Sequence, residues 1–540
     1  MTAVADSAPR TSHSRSRAGH GFGLLHAAAI LAAVIALAPL VAVVVTAFGP
    51  GASSLNGDTF ARYALTSVAL AGSVAVGAGL LGAAAAWLVV MHRFPGRDLF
   101  AWALVLPLAA PAFATAYGYA DLFDVAGPIR TLLRGLAGHD VPLEMRSLPG
   151  AALILSLAFY PYVYLTLRAA LVNQSVGALE AARSLGRTAG GAFWAVTLPM
   201  ARPALAAGMA LAVMETLADY GASSFLGVQT LTTGVVRAWS VFGSTAEAAR
   251  LALPLLGAAA VLLLIERLSR ANRTADVGPS RWRPLPTTEL KGVGKWLAPL
   301  FCFKLIALGL LIPAGWLAWR GLSVQPDTAR LLHGGLNALG LAVVAAVFTT
   351  ALAAAIALGA RKNRLIARLT SLGYATPGAV MAIGLLAPAG FLWRGMAGAA
   401  GGFGVAIGLL LLAYAARLMA AALEPVDAGL ERITPSIAGA ARMLGQTEAG
   451  AAWRVELPMA SGALLTAALL VFIDVLKELP ATVILRPFGF DTLAVMADYY
   501  AKDERLADAA WPALLIVLVS IPAVVWLTRR VGASRPGAPL

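Results

Sequence analysis

The sequence predicts an all-α polytopic membrane protein, about twelve transmembrane helices in two parallel six-helix repeats. Three observations predict it: too little charge to clothe soluble domains, apolar runs of spanning length, and a long segment that recurs once at a fixed offset. Of 540 residues, 13 % are charged and 59 % apolar before the 54 glycines are counted, against about 25 % and about 45–50 % in a typical soluble chain. Leu24 to Phe48, Ala64 to Met91 and Leu251 to Ile265 approach or exceed the roughly 20 apolar residues that cross a bilayer. The single cysteine, Cys302, forms no internal disulfide and builds no Cys-ligated cluster.

A net charge of +14 in a soluble chain suggests nucleic acid, but here the basic residues punctuate the spans. Twelve spans are expected at roughly 22–48, 62–91, 99–120, 148–170, 203–226, 249–266, 296–319, 334–360, 368–391, 403–424, 460–484 and 509–528. Arg10, Arg15 and Arg17 precede the first; Arg93 and Arg97 fill the second loop; Arg267, Arg270 and Arg273 follow the sixth; Arg361, Lys362 and Arg364 follow the eighth. With alternating spans all lie on one side, which the positive-inside rule makes cytoplasmic together with both termini. The charge therefore reads as topology in a lipid bilayer, with no nucleic-acid partner. The first apolar run lacks a small-residue cleavage site and reads as a retained span.

The repeat sets the domain organisation. Glu180-Ala-Ala-Arg-Ser-Leu-Gly-Arg-Thr-Ala-Gly-Gly-Ala-Phe-Trp-Ala-Val-Thr-Leu-Pro-Met-Ala201 recurs 259 positions later, from Gly439 to Ala460, with 14 of 22 residues identical. Alanine bias does not match Arg183 to Arg442, Trp194 to Trp453 and Pro199 to Pro458. Residues 1–20 read as a basic tail, 21–268 as the first half, 269–295 as an Arg- and Pro-rich linker, 296–530 as the second half and 531–540 as a tail. Six spans per half return the chain to its starting side, so the halves are parallel repeats with a pathway expected between them. Each repeated loop, 173–201 and 432–460, reads as two short helices broken at Gly186 or Gly445, where only glycine turns the backbone freely.

These loops resemble the hallmark of the permease subunits of binding-protein-dependent ABC importers: Glu-Ala-Ala, three residues, Gly, then Leu-Pro about a dozen residues on. The resemblance implies the type I importer fold and assigns ATPase coupling to Glu180, Ala181, Ala182 and Gly186, and to Ala440, Ala441 and Gly445. It implies two copies of a separate ATPase subunit, a substrate-binding protein and a bacterial inner-membrane location. The second copy departs from the pattern, with Gly439 in place of Glu180. No phosphate-binding loop occurs: Gly294-Lys295 is followed by Trp296, so no cofactor is expected in this chain, and ATP and Mg belong to the partner. Gly77-Ala-Gly-Leu-Leu-Gly82 matches a dinucleotide fingerprint but lies inside an apolar span and reads as helix packing.

The fifth span of each half carries acids four apart, Glu215 with Asp219 and Asp474 with Glu478, on one helix face. Intramembrane acids cost roughly 2.5–3.5 kcal/mol each near the centre and mark function by default. Two readings stand. The acids cap helix ends or pair with bases such as Lys477, or they line a cation path and hold a metal in transit, with Tyr220, Tyr499 and Tyr500 adding phenolic oxygens. Glu215 to Gly221, Asp474 to Thr482 and Leu106-Pro-Leu-Ala-Ala-Pro111 are similar to the fused ferric-iron permeases of the family, which implies ferric iron as substrate. Fused permeases for thiamine and phosphonates, and unfused ones for polyamines, share the architecture. A secondary transporter also uses repeats and buried acids but needs no twin cytoplasmic turns, and an enzyme is disfavoured because the six histidines form no H-E-x-x-H and no G-x-S-x-G occurs.

Overall fold

The computed structural model describes residues 24–49, 56–140, 142–173, 182, 184–187, 191, 195–196, 198–271, 287–361, 364–370, 373, 376–395 and 399–533. Their regular secondary structure is helical, apart from a parallel two-residue pairing of His92 and Arg93 with Thr288 and Glu289. That pairing ties the end of the linker to the second loop of the first half. Glu180 and Ala181, and most of the first repeated loop, lie outside the described residues.

Among the described residues eight helices are long and apolar enough to cross a membrane, or ten if each of two bent pairs is one span. The number falls short of twelve because breaks interrupt several expected spans. The third is bent by 87° between Arg97–Ala109 and Ala112–Leu122, where Pro111 lacks an N–H and precedes the second segment. The fifth spans end at Ala218 and Leu476 rather than at 226 and 484, each followed by a short helix.

Lipid supplies no hydrophobic drive between helices, so close packing of small residues holds them together. Helix Thr328–Gly359 buries Ala338, Ala342, Ala345, Thr349 and Ala353, three or four positions apart. A Cβ on Gly82 would lie 2.6 Å from the Tyr160 carbonyl oxygen, so the glycine-rich stretch of helix Gly57–Met91 brings two backbones together, as the packing reading expected.

The halves are interlocked rather than merely apposed. Helix Leu24–Ala47 of the first half packs on the second: Gly384 faces the Pro39 carbonyl, and His26 Nδ1 lies 3.1 Å from the Gly359 carbonyl oxygen. Reciprocally, the leading helices of the second half grip the first. Trp316 Nε1 donates to Asp121 at 2.7 Å, Arg320 pairs with the same carboxylate at 2.8 Å, and Tyr119 Oη donates to the Leu308 carbonyl. This exchange fixes the joint at which the fifth helices meet.

Candidate functional site

Chain direction gives the molecule two faces. The knuckle face carries the Gly186 and Gly445 turns and the 92–97 loop; the far face carries residues 122–148, 226–245, 321–328 and 485–506. On the knuckle face helix Pro435–Met443 ends at Gly445, φ 84°, and Gln446 N donates to the Ala441 carbonyl at 3.1 Å. The first copy makes the same turn, with Gly186 at φ 83° and Arg187 N on the Ala182 carbonyl at 3.2 Å. This is a glycine-terminated helix end. Just before the glycine each copy holds an apolar side chain in solvent, Leu185 86 % and Leu444 84 % exposed. Arg361 braces the second knuckle through Glu456, at 2.6 Å.

Deep between the halves lies a cavity of about 80 Å³ lined by Glu215, Asp219 and Tyr220 of the first half and Arg417, Asp474, Lys477 and Glu478 of the second. The repeat explains the pairing of acids. Each fifth helix stops just before an acid that satisfies the N–H groups opening the next short helix, where negative charge is favoured. Asp219 accepts from Ser223 N and Oγ at 2.7 and 2.8 Å and holds the start of Gly221–Phe225. Glu478 accepts from Ala481 N and Thr482 N, both at 3.2 Å, at the start of Pro480–Leu485.

Two bases complete the site. Arg417 donates to Glu478 at 2.9 Å, and Lys477 pairs with Asp474 at 2.9 Å. Both features of the capping and pairing reading are therefore present, and the repulsion among the acids is relieved in part by the chain's own cations. Glu215 is different: it lies in the field of Arg417, Asp474 and Lys477 but, alone of the four acids, makes no hydrogen bond or ion pair among the described residues. Arg417, the partner that sequence reasoning missed, carried one signal, a base within the apolar helix Gly402–Glu431. No three His, Cys, Asp or Glu side chains among the described residues converge closely enough to hold a metal ion, so the four acids do not form a ligand set in this conformation. Tyr499 and Tyr500 do not join the cavity. They take Arg486 and Arg330 on the far face instead.

Leu108, Tyr162, Asp474 and Lys477 also line a larger chamber of about 650 Å³ that reaches Arg168, Glu424 and Thr528 near the knuckle-face ends of their helices. Toward the far face the way is shut. Lys502 Nζ donates to Tyr220 Oη at 2.9 Å and pairs with Asp498 at 2.6 Å, joining the halves above the cavity. Farther out, Arg146 grips Glu504 and holds its carboxyl below the usual glutamate range.

A path lined by both halves, shut at one face and widening toward the other, defines the membrane-embedded permease of a transporter. Residues 75–271 and 346–536 each match the family described as binding-protein-dependent transport system inner membrane component, and the chain belongs to that family. Membership implies a separate ATPase and a substrate-binding protein as partners and an inner-membrane location; the family is a transporter component rather than a catalytic enzyme. The chain is 25 % identical over 462 residues, 83 % of its own length and 85 % of the relative's, to the Fe(3+)-transport system permease protein FbpB 2 of Haemophilus influenzae. It is 34 % identical over 148 residues to the sulfate transport system permease protein CysT of Escherichia coli, covering 27 % of this chain and 52 % of the relative. It is 30 % identical over 195 residues to the molybdenum transport system permease protein ModB of Escherichia coli, 35 % of this chain and 84 % of the relative.

Proposed function

We propose that this chain is the permease of an ATP-driven importer that moves ferric iron, delivered by its substrate-binding protein at the far face, toward the knuckle face, which is cytoplasmic together with both termini. One observation carries the choice of iron: the match to a protein named as an Fe(3+) permease runs through both halves, whereas the sulfate and molybdenum permeases match 27 % and 35 % of the chain. Charge supports it. Four carboxylates and two bases line the inner cavity, and a trivalent cation offsets the excess where an anion adds to it. Glu215 faces the passing ion, Asp474 follows once Lys477 swings away, and Asp219, Glu478 and Tyr220 shape the walls.

Each knuckle docks one ATPase subunit through the turn at Ala182 and Gly186 or at Ala440, Ala441 and Gly445, with Leu185 and Leu444 as the apolar contacts; the coupling role of Glu180 and Ala181, outside the described residues, rests on the sequence motif alone. ATP and Mg are bound by those subunits. An oxyanion importer is the second reading, favoured by Arg417 and Lys477 in the cavity and by the sulfate and molybdenum relatives. Uptake by the complex reconstituted in proteoliposomes separates the two. Radiolabelled iron presented on the binding protein enters with ATP and is not displaced by molybdate or sulfate; ATP-driven uptake of either oxyanion in place of iron overturns the assignment.

A further inference from the structure

Among the described residues the two halves make matching turns at Gly186 and Gly445 on the knuckle face, and differ on the far face. After the short helix of the first half, Leu226 and Thr230 are separated by three residues, and Val228 between them is buried. In the second half Leu485 and Thr492 bracket six residues, Arg486-Pro-Phe-Gly-Phe-Asp491. The insertion is built as a rigid loop. Arg486 pairs with Asp491 at 2.5 Å and donates to the Phe490 carbonyl and to Tyr499 Oη. Asn337 donates to the Asp491 carbonyl at 3.0 Å, and Phe490 stacks edge-on against Phe403. At its apex, beside Gly489 at φ 77°, Phe488 is wholly exposed, 105 % of its reference area.

We propose that Phe488 is the anchor by which the substrate-binding protein docks on the far face of the permease. The proposal rests on the importer reading above, with that face outside. Symmetry supports it. Two identical ATPases need two matched surfaces, whereas one binding protein presents a single asymmetric surface, so its contacts with two related halves must differ. An aromatic side chain on a braced loop loses little freedom on docking, and buried aromatics dominate interface energetics. The surrounding groups Arg330, Asp491 and Tyr499 place the loop among solvated charges, which favours a protein partner over lipid.

The test uses the full transporter in nanodiscs with the substrate-binding protein expressed with it, loaded with Fe3+. ATPase activity is followed as that protein is titrated. Phe488→Ala raises the half-saturating concentration about tenfold or more while the activity without binding protein stays at the wild-type level, and Leu322→Ala, an exposed apolar change elsewhere on the same face, does not. An unchanged half-saturation in Phe488→Ala overturns the docking role. Phe488→Cys in a Cys302→Ala background, spin-labelled, is quenched by a water-soluble nickel chelate and protected when binding protein is added; quenching by membrane-dissolved oxygen in its place assigns Phe488 to lipid and also overturns it. A wild type that does not respond to the iron-loaded protein overturns the importer reading itself, and the docking role with it.

Discussion

Arg146 donates two hydrogen bonds of 2.9 Å to the Glu504 carboxylate, although the two lie 358 positions apart in the chain. Glu504 reaches that position with a backbone φ of 57°, the one non-glycine residue at positive φ among those described. Such conformations persist where the surroundings over-determine them. Together with Lys502 and Tyr220 the pair fastens the far face of one half to the other and sets the resistance to opening there.

Far-face closure is therefore expected to depend on pH. In the closed state Arg146 holds the Glu504 carboxyl below its usual value, and separation restores that value. The pair favours closure above the ordinary glutamate range, and the preference is lost as pH falls through the lowered value. Both side chains are about half exposed, so solvent screening keeps the effect small. Spin labels on Met145→Cys and Asp503→Cys in a Cys302→Ala background should move apart as pH is taken from neutral to well below the ordinary glutamate value of about 4.3. Distances that stay fixed, or shorten, count against the pair as a gate.

Arg417 and Glu478 are expected to matter first for folding. Glu478 is 3 % exposed and keeps its capping bonds, but Arg417→Met leaves its charge without a counter-ion. Breaking one partner of a buried pair costs about 3–5 kcal/mol. Thermal unfolding of the detergent-solubilised chain should fall sharply for Arg417→Met and recover in part in Arg417→Met with Glu478→Gln. Independent losses in the double variant would show that the two do not interact.

Much of this site was legible in the sequence. The offset of 259 brought Ala182 and Ala441 to the same turn and Glu215 and Asp474 to the same wall, because a repeated sequence folds into a repeated local structure. What was hidden depends on elements that sequence spacing does not relate. Arg417 reaches Glu478 from another helix 61 positions away, and Tyr220 meets Lys502 only after the halves interlock. The ends of the fifth helices had a readable cue, Asp219 four residues before Ser223, but the apolar run continued past it and masked the break. The exchange of leading helices left no local mark at all, since Pro39 and Gly384 look like ordinary span residues.

Coupling is expected to fail when the knuckle turn is strained. Nothing lies within 4 Å of a Cβ built on Gly445, so Gly445→Val acts through the backbone at φ 84°, where an L side chain costs about 1–2 kcal/mol. The variant should insert normally but lose binding-protein-stimulated ATPase activity, as should Gly186→Val. Wild-type coupling in the double variant contradicts docking at these turns.

Chamber access should alternate with the ATP cycle. Tyr162 lines both the inner cavity and the larger chamber, and Leu470 lines the chamber alone. Single cysteines at these positions in a Cys302→Ala background should react with a soluble maleimide in the nucleotide-free complex and be protected when ATP is trapped. Equal reactivity in both states would show that the chamber does not close.

The acidic cavity at the joint of the halves is proposed to carry the iron, with Glu215, which makes no hydrogen bond or ion pair among the described residues, as the carboxylate that meets it. The most direct test is the rate of ATP-driven uptake of radiolabelled iron into proteoliposomes holding the Glu215→Gln complex, which keeps the shape and removes one charge. A fall of about tenfold or more is expected, with binding-protein-stimulated ATP hydrolysis and thermal stability near wild type. Iron uptake at the wild-type rate would contradict it.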